Sequence, residues 1–258
     1  MNALTLVGIA TNVAMVWMAL AWIFARRADN AGWVDVAWSY AFTVATILLC
    51  ALGPAPADRK LLLIALVAGW SLRLGTYLVW RVGRHPEDPR YAQLREQFPQ
   101  RPWLMFFGVF QAQAVLVGIL CTPFAIVAAN TSHTFSIWEA VGAAVWVVGL
   151  AGESIADSQL AAFKRDPANR GMVCDVGLWR YSRHPNYFFE WVIWVGFGLL
   201  ALGAPHGWLG LMSPIIMYYL LTRVTGIPPA EAGSLKSRGD AYREYQKTTS
   251  PFFPMPPK

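Results

Sequence analysis

The chain has 258 residues, of which 56% are hydrophobic and only 14% are charged, whereas soluble domains carry about 25% charged residues. This composition excludes an ordinary soluble domain. The net charge of +6 sits in short segments that flank apolar stretches, so no separate basic face is left for nucleic acid. Three cysteines without pairing or Cys-x-x-Cys spacing, and four scattered histidines, predict neither a disulfide framework nor a metal site.

Seven apolar segments follow one another along the chain, and each is long enough, or nearly so, to cross a bilayer, which takes ~20 helical residues. They cover residues 3–25, 31–53, 61–80, 103–129, 135–158, 187–204 and 207–223. In lipid, backbone amides find partners only within their own helix. The sequence therefore predicts an all-α fold, a polytopic membrane helical bundle with about seven transmembrane helices. We expect a single membrane domain over 1–258, with N-terminal spans in 1–129 and a C-terminal region in 135–258.

The basic residues predict an orientation for these spans. With the N-terminus outside, 18 of the 21 lysines and arginines fall in cytoplasmic segments. Arg59 and Lys60 then lie outside, and Arg73 lies within a span. Because basic loops stay in the cytoplasm, we expect the N-terminus outside and the C-terminus in the cytoplasm.

Ionisable residues inside predicted spans are the first functional signal, because each costs ~2.5–3.5 kcal/mol to insert and usually serves a function. Asp35 opens the second span, between Trp33 and Tyr40. It is either an interface residue within an aromatic belt or an acid that lines a cavity. In a cavity, burial would favour its neutral, hydrogen-bond-donating form. Both interpretations stay open at the level of sequence.

Three further spans carry polar residues at helical spacing. The third span aligns Trp70, Arg73, Tyr77 and Arg84 near one face. Arg73 is roughly two turns from the span's end, where a guanidinium needs a carboxylate or a phosphate. A structural ion pair with Asp35 or Glu190 is the alternative. Later spans add two pairs with a spacing of four residues, Glu153 with Asp157 and Asn186 with Glu190.

Almost all of these residues lie toward the predicted cytoplasmic ends of their spans. Acids, arginines, tyrosines and an asparagine suit a ligand with phosphates, sugar hydroxyls and a carboxamide, such as a dinucleotide. Neither a GxGxxG stretch nor a P-loop occurs in the chain, which excludes a Rossmann or Walker site.

Four stretches of the chain resemble a known family. GLWRYSRHPNYFFEWVIWVGFGL, residues 177–199, is similar to the C-terminal signature of steroid 5α-reductase-like membrane proteins, in particular their bacterial DUF1295 branch. RGDAYREYQKTTSPFFP, DVAWSYAF and RLGTYLVWRVGR resemble further blocks of the family. The wider superfamily includes sterol reductases, which use NADPH, and isoprenylcysteine carboxyl methyltransferases, which use S-adenosylmethionine. The resemblance implies a bacterial inner (plasma) membrane protein.

The resemblance also implies roles for individual residues. Catalytic roles fall to Asp35, Glu190 and Trp70. Asp35 lies near the family's substrate-binding Gln-Glu pair, and Trp70 replaces a ketone-binding tyrosine. NADPH contacts fall to Arg73, Tyr77, Arg84, Asp157, Lys164, Arg170, Tyr181, Arg183, His184 and Asn186. Among these, Lys164 and Arg170 are expected at phosphates and Asp157 at the nicotinamide ribose. The two departures at Asp35 and Trp70 leave the substrate open.

Three functions therefore compete. The first is an NADPH-dependent reductase that delivers hydride to the β-carbon of an activated C=C bond in a hydrophobic, steroid-like or enone lipid substrate. The second is an S-adenosylmethionine-dependent membrane methyltransferase, which the arginines Arg73, Arg84 and Arg170 disfavour because that cofactor carries no phosphate. The third is a non-enzymatic protein that binds membrane lipids, for which polar residues would be spread out rather than gathered toward one side.

The charge distribution makes a testable prediction of topology. A reporter fused after Lys258 should report the cytoplasm, and one inserted in the loop at residues 55–58 should report the outside, because 18 of 21 basic residues then lie inside. Compartment-specific reporter activity measures this. The same side for both fusions would show that the number of spans is wrong.

Overall fold

The computed structural model describes all 258 residues and contains no β-strand, which confirms the all-α prediction. Short 3-10 turns occur at Pro167–Asn169, Gly177–Arg180 and Gly207–Leu211, and a π-helical turn at Leu220–Val224. The α-helices are α1 (Ala3–Arg27), α2 (Trp33–Leu52), α3 (Ala57–Arg84), α4 (Pro89–Gln97), α5 (Pro102–Leu120), α6 (Thr122–Ala129), α7 (Ile137–Arg165), α8 (Pro185–Ala201), α9 (Met212–Tyr219), α10 (Ile227–Arg238) and α11 (Asp240–Thr248).

Five helices, α1, α2, α3, α5 and α7, have the length and apolar character needed to cross a membrane. The chain is an integral membrane protein on this ground. The predicted sixth and seventh spans are shorter. Helix α8 has 17 residues, and the last apolar segment is divided among a 3-10 turn, α9 and the π-helical turn. The predicted number of seven is therefore not confirmed.

The predicted fourth span, residues 103–129, is broken in two. Helix α5 ends at Leu120, and α6 starts at Thr122 with Pro123 in its first turn. Proline lacks an N–H group and disfavours helical geometry at the residue before it. The break follows from this local chemistry.

The chain divides into two compact units, and the single membrane domain over 1–258 stays a prediction. The first unit comprises Met1–Glu139 and Leu200–Ser213, and the second comprises Ala140–Leu199 and Pro214–Lys258. Neither unit is one continuous segment, because the chain returns to the first unit after α8. The predicted division between residues 129 and 135 lies close to the boundary at Glu139.

In the first unit, α1 packs against α2 and α5, and α2 packs against α3. The approach of α1 to α5 requires a residue without a side chain, since a Cβ atom at Gly118 would overlap the Thr11 side chain. Between α2 and α3, Thr43 donates to Ser71 (2.8 Å), and Ser71 donates to the carbonyl of Ser39 (2.6 Å). This chain of bonds fixes α3 against α2.

Arg59, which the sequence placed in a loop outside the membrane, is buried in the first turn of α3 with 2% exposure. Its Nε donates to Glu139 at 2.5 Å. Its terminal nitrogens donate to the backbone carbonyls of Asn130, Ser132 and Thr134. One guanidinium thus neutralises a buried carboxylate and satisfies the carbonyl groups of the loop between α6 and α7.

In the second unit, α7 and α8 pack closely through two glycines. A Cβ atom at Gly149 would lie 2.7 Å from Ile193, and one at Gly152 would overlap the Phe189 ring. Helices approach this closely only where side chains are absent. The first turns of α8, which carry Asn186 and Glu190, are therefore held at a fixed distance from α7.

The Arg59 contacts predict a large loss of stability on substitution. Arg59→Met leaves the buried Glu139 carboxylate without its counter-ion, which costs about 3–5 kcal/mol. Thermal unfolding in detergent should show a large fall in Tm. The double variant with Glu139→Leu should recover part of it, because an apolar pair replaces the buried ions. Lys60→Met is the matched control, and an equally small shift for both single variants would contradict the structural role of Arg59.

Candidate functional site

Asp35 lies in the first turn of α2 with 30% of its side chain exposed. Its Oδ1 accepts a hydrogen bond from the Tyr91 hydroxyl at 2.7 Å, and its Oδ2 accepts one from Arg90 at 3.3 Å. These contacts join Asp35 to α4 through both oxygens. Of the two interpretations that the sequence left open, the neutral, donating acid stays a prediction.

Both partners of Asp35 lie in α4, which carried no functional signal in the sequence, and Asp88 just before α4 extends the network. Asp88 accepts from Arg81 at 2.8 Å and from Arg90 at 3.0 Å. Burial acts to raise the pKa of Asp88, but the hydrogen bonds and charges of Arg90 and Arg81 outweigh it and lower that pKa. The pKa of Tyr91 is raised by burial and by the Asp35 charge. A small cavity of about 160 Å³ adjoins this network, lined in part by Asn30, Asp35, Arg81, His85 and Asp88.

Trp70, a predicted catalytic residue, is completely buried in α3. Its ring packs edge-on against Phe42 at 5.3 Å and Trp38 at 6.3 Å between centroids. Within the first unit this is the environment of a core residue. The sequence could not distinguish it, because a tryptophan at helical spacing fits both a core and a site.

The C-terminal end of α3, which the sequence predicts to be cytoplasmic, carries an exposed surface of aromatic and cationic residues. Trp80 is 50% exposed, stacks on Tyr77 at 6.5 Å and meets the His85 ring edge-on at 6.0 Å. The Arg84 guanidinium lies over the Trp80 ring at 5.4 Å. Arg84 forms no hydrogen bond or ion pair with the protein, unlike Arg81, which binds Asp88. Its five donors are left for a ligand or for water. We call Tyr77, Trp80, Arg84 and His85 the α3 platform.

Asn186 and Glu190 lie one turn apart in the first part of α8, as the sequence predicted. The Glu190 carboxylate is buried and accepts a hydrogen bond from Trp194 at 2.9 Å. The Oδ1 atom of Asn186 is buried and has no hydrogen-bond partner in the protein. A buried polar atom without a partner costs about 1–3 kcal/mol. Such an atom is expected where a ligand or water completes the bond.

Arg183 and His184, predicted to contact the cofactor, are buried and turned to the protein itself. Arg183 Nε donates to Glu231 at 2.7 Å, and its Nη1 donates to the carbonyls of Gln246 (3.0 Å) and Thr249 (2.6 Å). His184 lies 3.4 Å from Glu231. The Arg183 guanidinium therefore bonds to groups of the second unit, and Arg183 has a structural role there.

The remaining predicted residues occupy different environments in the second unit. Asp157 is half-buried in α7, whereas Lys164, Arg170 and Tyr181 are exposed. Arg170 follows the 3-10 turn Pro167–Asn169 and has no hydrogen bond or ion pair to the protein through its guanidinium. In the first unit, Arg73 is half-buried in α3. The exposed Arg170 thus differs from Arg183, whose guanidinium is bonded within the fold.

Glu231, near the start of α10, is the residue of this region that the sequence analysis missed. Its Oε1 faces Arg183 and His184, and its Oε2 accepts from Gln246 at 2.9 Å. Burial acts to raise the pKa of Glu231, but hydrogen bonds from His184 and Arg183 lower it to about 2. A single acid after Pro-Pro gave no periodic signal, and Arg183 and His184 are over 40 residues away along the chain.

The low pKa of Glu231 predicts a pH-dependent contribution to stability. A carboxyl whose folded pKa of about 2 lies below its ordinary 4.5 stabilises the fold above the ordinary value. That contribution is lost as pH falls toward the folded value. The difference in Tm between the wild type and Glu231→Gln should therefore narrow between about pH 5 and about pH 3. Glu244→Gln, an exposed acid paired with Lys247, is the control, and a difference that stays constant across this window would contradict the assignment.

Comparison with known proteins places this chain among relatives. Residues 21–249 match the family described as "Protein of unknown function (DUF1295)", a range that includes every predicted site residue and Glu231. The chain is also similar to a protein of Schizosaccharomyces pombe named "Uncharacterized protein C594.04c". The two are 28% identical over 260 residues, covering 87% of this chain and 73% of the relative. The match confirms the predicted DUF1295 branch, while the wider steroid 5α-reductase-like relationship stays a prediction. This chain belongs to the DUF1295 family.

Proposed function

We propose that this protein is a membrane-embedded, NADPH-dependent reductase of an activated C=C bond in a hydrophobic, steroid-like or enone lipid substrate. The observation that carries the proposal is the contrast among its arginines. Arg81, Arg90 and Arg95 are held by carboxylates, whereas Arg84 lies exposed over Trp80 with no acid beside it. An arginine left in this state is suited to a phosphate, which it binds through two parallel hydrogen bonds.

The α3 platform suits a nucleotide through its aromatic rings as well as through its charge. Trp80 and Tyr77 are half-exposed aromatic residues beside the guanidinium. Aromatic rings stack on planar bases, and arginine binds the phosphates that accompany them. S-adenosylmethionine has a base but no phosphate, and its sulfonium charge is repelled by Arg84. The platform therefore favours the dinucleotide over the methyl donor.

Asn186, in the second unit, is suited to a carboxamide. Its buried Oδ1 is an acceptor without a partner, and the N–H of a carboxamide is a matching donor. Glu190, one turn later, is held by Trp194 and offers a carboxylate on the same face of α8. The polar groups present in the second unit therefore fit a nicotinamide carboxamide. Lys164 and Arg170 are exposed cations suited to the 2′-phosphate that distinguishes NADPH from NADH.

NADPH, when bound, supplies the hydride that reaches the β-carbon of the substrate. The residues of this chain bind and orient the nucleotide. In this proposal Asp35, which is bonded to Tyr91 and Arg90, acts in its neutral form on the substrate carbonyl and supplies the proton that follows the hydride. Because the nucleotide is polar, we propose that the nucleotide enters from the cytoplasm, with the N-terminus outside and the protein in the bacterial inner membrane.

Nucleotide titrations of the full chain in detergent test this function. The wild type should bind NADPH more tightly than NADH. Arg84→Gln and Asn186→Ala should each weaken NADPH binding ~10-fold or more, the effect of losing about 1.5–3 kcal/mol of charged or buried hydrogen bonding. Arg170→Ala should narrow the difference between NADPH and NADH.

Two variants serve as matched controls for this titration. Arg27→Gln removes an exposed arginine that lies over no aromatic ring, and Asn12→Ala removes an amide that bonds only the Gly8 carbonyl. Both should bind NADPH as the wild type does. Tight binding of S-adenosylmethionine instead would establish the methyltransferase alternative. If neither nucleotide binds, the reductase proposal fails and the lipid-binding alternative stands.

A further inference from the structure

The C-terminal tail, residues 249–258, forms hydrogen bonds with the loop that precedes α8, residues 179–184. Ser182 donates to the carbonyl of Phe252 at 2.8 Å, and the Arg183 amide donates to the carbonyl of Ser250 at 2.8 Å. Further along, the Met255 amide donates to the carbonyl of Tyr181 at 2.9 Å. The loop therefore takes its shape from chain more than 60 residues away.

Two side chains fix this loop from α10 and α11. The Tyr245 hydroxyl donates to the carbonyl of Trp179. Glu231 accepts from Arg183, His184 and Gln246 and so joins both helices to the loop. Arg183 is 8% exposed, and a buried guanidinium without its counter-ion is strongly destabilising. No other carboxylate forms an ion pair with Arg183. Glu231 is therefore the residue that neutralises the buried Arg183 charge of the loop.

The loop determines where α8 begins. His184 is followed by Pro185, the first residue of α8. The carbonyl of His184 accepts a hydrogen bond from the Phe188 amide at 3.1 Å. Its ring stacks on Tyr187 at 5.4 Å between centroids. Asn186 lies between these two residues, so a change in the position of His184 moves the first turn of α8 and the buried Oδ1 of Asn186 with it.

We propose that Glu231 is a positioning residue for Asn186. It holds Arg183 and His184, and through them it sets the first turn of α8, although it is not itself expected to touch a ligand. The part that concerns ligand binding rests on the proposed NADPH function. The C-terminal helices and tail then complete the site by fixing its geometry.

A double-mutant cycle tests the coupling of Glu231 to Asn186. NADPH affinity is measured for the wild type, Glu231→Ala, Asn186→Ala and the double variant, at a temperature where all four are folded. We expect Glu231→Ala to weaken binding ~10-fold in the wild type and much less once Asn186 is already removed, because residues that act through one another are not additive. Glu231→Gln should restore part of the affinity, since neutral hydrogen bonds are about half as strong as charged ones. Equal effects of Glu231→Ala in both backgrounds would overturn the proposal.

Amide hydrogen exchange tests the positioning role of Glu231 without any nucleotide. In Glu231→Ala, amides of residues 181–190 and 248–255 should exchange faster, while those of α1 and α5 stay unchanged. Glu244→Gln, an exposed acid on α11 paired with Lys247, should exchange as the wild type does. Unchanged exchange at residues 181–190 would overturn the positioning role directly. If exchange changes but the wild type binds no NADPH, the positioning role stands and the proposed function fails.

Discussion

A charged side chain that leaves water needs a partner of opposite charge, because the low dielectric of the interior makes an unpaired charge costly. Two buried ion pairs follow from this constraint: Arg59 with Glu139 closes the loop between α6 and α7, and Arg183 with Glu231 ties the loop before α8 to α10. A third pair, Arg90 with Asp35, is partly exposed and ties α4 to the start of α2. Each pair joins segments that are distant along the chain.

The same constraint separates the arginines into two groups with different meanings. Those bound to carboxylates serve the fold, and their removal should appear as a loss of stability. Arg84 and Arg170 have no carboxylate partner and lie exposed, so their removal should leave the fold nearly unchanged. A function that uses phosphates draws on the second group. This division also explains why Arg183, part of a conspicuous basic stretch, is a weaker candidate for ligand contact than Arg84.

Close packing of α7 against α8 also fixes the positions of Asn186 and Glu190. Gly149 and Gly152 let α7 approach α8 until Phe189 and Ile193 fill the space between them. Asn186 and Glu190 project from the turns of α8 that this packing fixes. The buried, unpartnered Oδ1 of Asn186 is tolerated because the packing and the loop before α8 together hold it in place.

The sequence by itself determined the all-α class, the membrane setting and the shared face of Asn186 and Glu190. Apolar length and a four-residue spacing are local properties that no tertiary contact alters. Only the tertiary structure decided that Arg59 is buried, that Asp35 accepts from Tyr91 and Arg90, and that Glu231 holds Arg183. It also split the fourth apolar segment into α5 and α6 and placed Trp70 in a core. These features depend on which distant segments meet. Charge and periodicity along a chain do not specify such pairings, because any of several acids could neutralise a given arginine.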